Sequence, residues 1–244
     1  MYSMAAPHAQ GKSAEDNIFA ANNRAIALAE KIGTENVVNA TVGSILDEDG
    51  SLVVLDVVKE ALSALTPKEM CAYAPIQGYR AFLDACIDQC FGKSRPEGYI
   101  DACSTPGGTG VLHHVVHNYS EVGDEVLISD WHWGAYDSLI DDNNRKVRTF
   151  SLLTEDGHFH AADFKDKVED ILSRQDNIVI ILNGIANKPT GYCLSDEEWQ
   201  AAIDVLKEAV KDETKKAILI PDVAYLDYSG EKEECRRFFR LFGG

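Results

Sequence analysis

The segment that most narrows the choice of fold is Asn177-Ile178-Val179-Ile180-Ile181-Leu182-Asn183. A strand with one wet face alternates apolar and polar side chains. An unbroken apolar run that ends in polar residues suits a strand covered on both faces. Such a strand needs helices above and below it, and the neighbouring sequence supplies them. Helical spacing runs from Asp163, with Phe164, Val168, Ile171 and Leu172 on one stripe. It returns over Ser195–Lys211, where Ser195 and Glu198 read as a capping box ahead of Trp199, Ile203, Leu206 and Val210. Further strands are expected at Glu125–Ser129, Lys146–Leu152 and Lys216–Ile220. Strands that alternate with helices imply an α/β fold, with three layers (α/β/α) built on a mostly parallel sheet.

The first part of the chain reads differently. Residues 1–13 are small and polar and are expected to form a mobile arm. Helices are expected over Ala14–Ile32, closed by Gly33, over Leu52–Leu65, stopped before Pro67, and over Tyr79–Phe91, stopped by Gly92. Short strands are expected at Asn36–Thr41 and Gly98–Cys103, a helix from near Val111, and a last helical piece at Glu233–Phe239.

Composition excludes some partners. The formal net charge of −17 opposes binding to nucleic acid or an anionic membrane. No stretch is long and apolar enough to span a bilayer, and Met1–Gly11 has neither the apolar run nor the basic start of a secretory signal. None of the six cysteines forms a Cys-x-x-Cys pair. Cys86 and Cys90 share helical spacing with Tyr79, Phe82 and Leu83, so buried, reduced thiols of a cytoplasmic protein are expected.

The segments with chemical content follow strands. Pro221-Asp222-Val223-Ala224-Tyr225 comes after the β-branched run ending at Ile220, at the edge where open α/β sheets bind ligands. Asp222 can serve there as a turn or capping residue, or as a carboxylate facing a cationic ring nitrogen. The turn Pro106-Gly107-Gly108-Thr109-Gly110 opens a helix, which suits either tight packing or a phosphate held by free backbone amides and the Thr109 hydroxyl. Its spacing is that of neither a dinucleotide fingerprint nor a P-loop. Trp133, in Trp131-His132-Trp133-Gly134, is either a core residue or a flat surface for a ligand ring. His113 and His117 lie one turn apart and could share a metal, or lie on a partly exposed helix face.

Taken together, these segments resemble the class I/II aminotransferases of fold type I, the aspartate and aromatic aminotransferase-like enzymes that use pyridoxal 5′-phosphate (PLP). The resemblance runs from about Asn36 to Tyr228 with its elements in the family's order. It implies transfer of an amino group from an amino acid to a 2-oxo acid. It also implies phosphate contacts from Gly108 and Thr109, Trp133 stacked on the pyridine ring, Asp222 at the ring nitrogen and Tyr225 at the phenolic oxygen. Tyr73, in Cys71-Ala72-Tyr73-Ala74-Pro75-Ile76-Gln77-Gly78, resembles a tyrosine that reaches the partner's cofactor phosphate in a homodimer. Gly43, in Thr41-Val42-Gly43-Ser44, resembles a glycine beside the substrate carboxylate. On this basis residues 1–50 are expected to form an arm and a small-domain segment, and residues 51–244 part of the large PLP-binding domain.

Two departures bear on activity. Lys188, in Asn187-Lys188-Pro189-Thr190-Gly191, replaces the family's asparagine at the phenolic oxygen. It can reflect drift, act as a charged donor to that oxygen, or itself form the imine with PLP. The resemblance also implies that the Schiff-base lysine and most of the small domain lie past Gly244. The 244-residue sequence is therefore expected to be a truncated form, a poor catalyst at best. The alternative is a catalytically inactive homologue with a structural or interaction role.

Overall fold

The structure is a computed structural model that describes residues 4–10 and 17–243. Among these, one sheet holds β1 (Glu125–Ser129), β2 (Lys146–Phe150), β3 (Asn177–Leu182) and β4 (Lys216–Pro221), all parallel, in the order β2-β1-β3-β4. Val126 pairs with Val179 and Leu127 with Ile180 across β1–β3, and Ile180 pairs with Leu219 across β3–β4. β3 is interior, which accounts for its apolar run. Its side chains alternate between faces. Ile178, Ile180 and Leu182 enter one hydrophobic cluster, and Val179 and Ile181 enter the other.

The helices complete the layers. α7 (Ala161–Leu172) and α8 (Asp196–Ala209) pack on one face through Phe164, Val168, Ile171, Trp199, Ala202 and Leu206. α5 (Gly107–Tyr119) and α6 (Ala135–Asp142) cover the other through Leu112, Val116, Tyr136 and Ile140. The Ser195–Glu198 capping box starts α8 as expected. Trp199 stacks on Phe238 at 4.8 Å, and so ties in the 3-10 segment Glu234–Phe242. A Cβ on Gly184, just past β3, would lie 2.6 Å from the Trp199 ring, so only glycine lets that ring close over the strand end.

The chain forms two compact units, one reaching to Ala72 and one running from Tyr73. The first holds α1 (Asn17–Ile32), α2 (Asp56–Ala64), α3 (Pro67–Cys71) and an isolated antiparallel bridge, Leu46 to Leu52. None of its described residues is buried. The second holds the sheet and begins with α4 (Arg80–Phe91).

Several expectations from sequence are corrected. Asn36–Thr41 and Gly98–Cys103 are not strands, because neither finds a ladder partner among the described residues. The helix expected from Leu52 starts at Asp56, because Leu52 bridges Leu46 and the Val53 amide donates to Ile45. α5 begins at Gly107, which puts the glycines in its first turn. α3 and α6 lie outside the expected helices. The signal for α3 was present in Thr66-Pro67-Lys68-Glu69, which forms a second capping box. The cysteine stripe is also revised. α4 buries Leu83 and Ile87, leaving Cys86, Phe82 and Tyr79 exposed and Cys90 half-buried. Burial pushes the Cys90 thiol up. Of the expected arm, Pro7–Ala9 forms a 3-10 turn, while residues 1–3 and 11–13 lie outside the described residues, as do residues 14–16 of the first expected helix.

Candidate functional site

β1 is followed by β2 on one flank, and the chain then returns to lay β3 against the other. At such a reversal the loops leaving the strand ends diverge, and a crevice opens beyond their carboxyl ends. Here it is a pocket of about 230 Å³. The loop after β1 contributes Trp133, the loop after β3 contributes Asn183 and Lys188, and the loop after β4 contributes Asp222 and Tyr225. Gly108 and Thr109 close it from the first turn of α5.

That first turn is built to leave donors free. The Gly107 amide donates to the Thr105 carbonyl at 2.7 Å and the Gly110 amide to that of Pro106 at 3.3 Å. The Gly108 and Thr109 amides are left among the orphan donors of the helix start. The helix dipole adds positive potential there, so the turn can take an anion. The turn also demands glycine at two points. Gly107 has φ of +67°, and a Cβ on Gly110 would lie 2.8 Å from the Pro106 ring.

The opposite wall carries the charges. The Asp222 carboxylate is half-buried and accepts the Tyr136 hydroxyl at 2.5 Å and the Ala224 amide at 3.1 Å. Burial raises the Tyr136 phenol well above its usual range, and the Asp222 charge and hydrogen bond raise it further. The Lys188 ammonium lies 5.7 Å from the Trp133 ring centre, within cation–π reach. Asn183 ties two loops together: its side-chain amide donates to the Asp222 carbonyl at 2.8 Å, and its side-chain oxygen accepts the Lys188 amide at 2.6 Å.

Six residues singled out in the sequence thus meet in one pocket: Gly108, Thr109, Trp133, Lys188, Asp222 and Tyr225. Two do not line it. Tyr73 is fully exposed at the start of the second unit, and Gly43 belongs to the first unit. Asn187 is buried and holds its own turn, donating to the Trp131 and Asn183 carbonyls and accepting the Thr190 hydroxyl at 2.8 Å. Sequence reasoning missed Asn183 and Tyr136. Asn183 was signalled as the polar residue that ends an apolar strand. Tyr136 sits three residues past Trp133, but nothing marked that stretch as a helix. The His113 and His117 rings stack at 6.1 Å, and Asn143 donates to His113 at 3.1 Å.

Chemically, the pocket offers amides for an anionic group, an indole face for a flat ring, a carboxylate for a cationic N–H, and an ammonium for an anionic oxygen. Such a set of groups suits a flat ligand that carries both an anionic group and a cationic N–H.

Residues 35–239 match the family described as aminotransferase class I and II. The chloroplastic aspartate aminotransferase of Arabidopsis thaliana is 30% identical over 212 residues, covering 84% of this chain and 45% of that protein. The aromatic-amino-acid aminotransferase of Escherichia coli (strain K12) is 25% identical over 206 residues, covering 81% of this chain and 49% of that protein. The crystal structure of an aminotransferase from Anaerococcus prevotii superimposes with a TM-score of 0.96 at 37% identity, covering all of this chain and 59% of its own. The chain spans about half the length of the curated relatives it matches.

Proposed function

This chain belongs to the class I and II aminotransferase family, and on that premise we propose that it forms the cofactor-holding part of a PLP-dependent aminotransferase. The observation that carries the reading is the meeting of six residues from separate loops in one pocket at the switch point of the sheet. Gly108 and Thr109 would hold the phosphate at the start of α5. Trp133 would face the pyridine ring. Asp222 would accept the ring N–H, and Tyr225 and Lys188 would reach the phenolic oxygen. When bound, the cofactor supplies the electron sink that stabilises charge at the substrate's α-carbon. The chain's own residues bind that ring, orient it and hold the proton at its nitrogen.

The substrates on this reading are an amino acid and a 2-oxo acid. Gly43 is assigned to the substrate carboxylate, and Tyr73 to the phosphate site of a homodimer partner. Among the described residues no helix is long and apolar enough to cross a membrane. The free cysteines suit a reducing compartment such as the cytoplasm.

The test is to mix the protein with PLP, dialyse, and read the cofactor's near-ultraviolet absorbance. The wild type should retain it, and Asp222→Ala should bind at least about tenfold more weakly, the scale of one charge-assisted hydrogen bond. Complete loss from the wild type on dialysis would overturn the reading. Label fixed by borohydride at Lys188 would change that residue's role from donor to nucleophile.

A further inference from the structure

The reading above leaves Tyr136 without a task, although it lines the same pocket. Tyr136 is 1% exposed, on α6, within the cluster that includes Leu112, Val116 and Ile140. Its ring meets Trp133 edge-on at 5.8 Å and stacks on His132 at 6.2 Å. His132 is itself tied down, with Nδ1 2.8 Å from the Ser129 carbonyl and Nε2 3.1 Å from Asp137. Packed on several sides, the ring keeps one orientation, and in it the hydroxyl donates to Asp222 Oδ2 at 2.5 Å. The other oxygen, Oδ1, accepts the Ala224 amide. The carboxylate is therefore gripped at both oxygens, by a helix on one side and by its own loop on the other.

We propose that Tyr136 is the positioning residue of this pocket: by fixing the Asp222 carboxylate from a rigid helix, it sets the preference of the site for a protonated pyridine ring over an uncharged one. The proposal rests on the cofactor reading given above. A carboxylate on a loop tip would otherwise rotate and hydrate, and would have to be ordered and stripped of water when the ligand arrives. Orientation supplied at folding removes that cost from binding. The phenol suits the task because burial and the adjacent Asp222 charge raise its ionisation far above neutral pH, so it remains a donor. Because the same ring leans on Trp133, one buried residue sets two contacts to the ligand, and a substitution can separate them. Tyr136→Phe keeps the ring against Trp133 and removes the hydroxyl.

The experiment compares dissociation constants for PLP and for its carbocyclic analogue, in which a CH replaces the ring nitrogen, on the wild type and on Tyr136→Phe. The wild type should prefer PLP. The variant should lose about tenfold for PLP, the scale of a hydrogen bond to a charged group, and little for the analogue. Equal weakening of both ligands would make Tyr136 a packing residue and overturn the proposal while leaving the cofactor reading intact. Unchanged binding of both would overturn it as well. Failure of the wild type to bind either compound would remove the cofactor reading and the proposal together. A ligand-free measurement checks the contact itself. In an ultraviolet titration of the phenols, Asp222→Asn should bring one high-lying ionisation down, and an unchanged titration would overturn the contact on which the proposal stands.

Discussion

α2 and α8 are both amphipathic helices, yet they end in opposite circumstances. α8 buries Trp199, Ala202, Ile203 and Leu206. α2 carries Val57, Val58 and Leu62 and buries none of them. The same contrast separates the two units. From Tyr73 onward, two clusters fill both faces of the sheet. Up to Ala72, Val38, Ile45, Leu55 and Met70 are exposed. An apolar stripe specifies that a face should be covered, but not by what. In the sheet unit the cover comes from strands distant in sequence, such as β1 and β3, paired into one surface. In the first unit the bridge between Leu46 and Leu52 is local and too small to make such a surface.

The sharpest way to break this contrast is to delete one side chain from each helix. Trp199→Ala should cost about 3–5 kcal/mol in urea unfolding followed by circular dichroism, while Leu62→Ala should stay within about 0.5 kcal/mol. Comparable losses would show that α2 is covered in solution. The two capping boxes make a finer probe because their chemistry is the same. Ser195→Ala should lower the stability of the sheet unit by about 1 kcal/mol. Thr66→Ala should leave that midpoint unchanged and speed hydrogen exchange at the Glu69 amide, which Thr66 holds at 3.2 Å.

The smallest effect is in pH. Burial pushes the Glu198 carboxyl up, but hydrogen bonds from Tyr192, Ser195 and Phe159 outweigh it and hold the group below the usual carboxylate range. Its contribution is then complete above the unfolded value of about 4.3 and is lost as pH falls through the lower folded value. Glu198→Gln should flatten the acid limb of the sheet unit's stability by under about 1 kcal/mol. An acid limb of unchanged slope would remove Glu198 from the account.

These contrasts also mark what could be read from the sequence. The strands β1 to β4 and helices α7 and α8 were legible because burial on two faces, or on one stripe, leaves a period in the residues. Asn36–Thr41 and Gly98–Cys103 misled because extended, β-branched or small residues describe a strand without supplying its partner. The α4 stripe was right at Leu83 but took Phe82 and Cys86 as inward and passed over Ile87, since cysteine and phenylalanine pass as core residues and only packing shows that Ile87 faces inward. In the site, Gly108, Thr109, Trp133, Asp222, Tyr225 and Lys188 stood in recognisable short patterns. Asn183 and Tyr136 did not, because what they do depends on a residue 39 or 86 positions away.

The alternation along β3 has a consequence for how this sequence can change over time. Val179 and Ile180 are neighbours along the chain but belong to different clusters. Ile180 and Trp199 are far apart along the chain and belong to the same one. Covariation should therefore skip along the strand: a change at Ile180 needs an answer from the Trp199 side, while Val179 stays free to settle its own terms with α5 and α6.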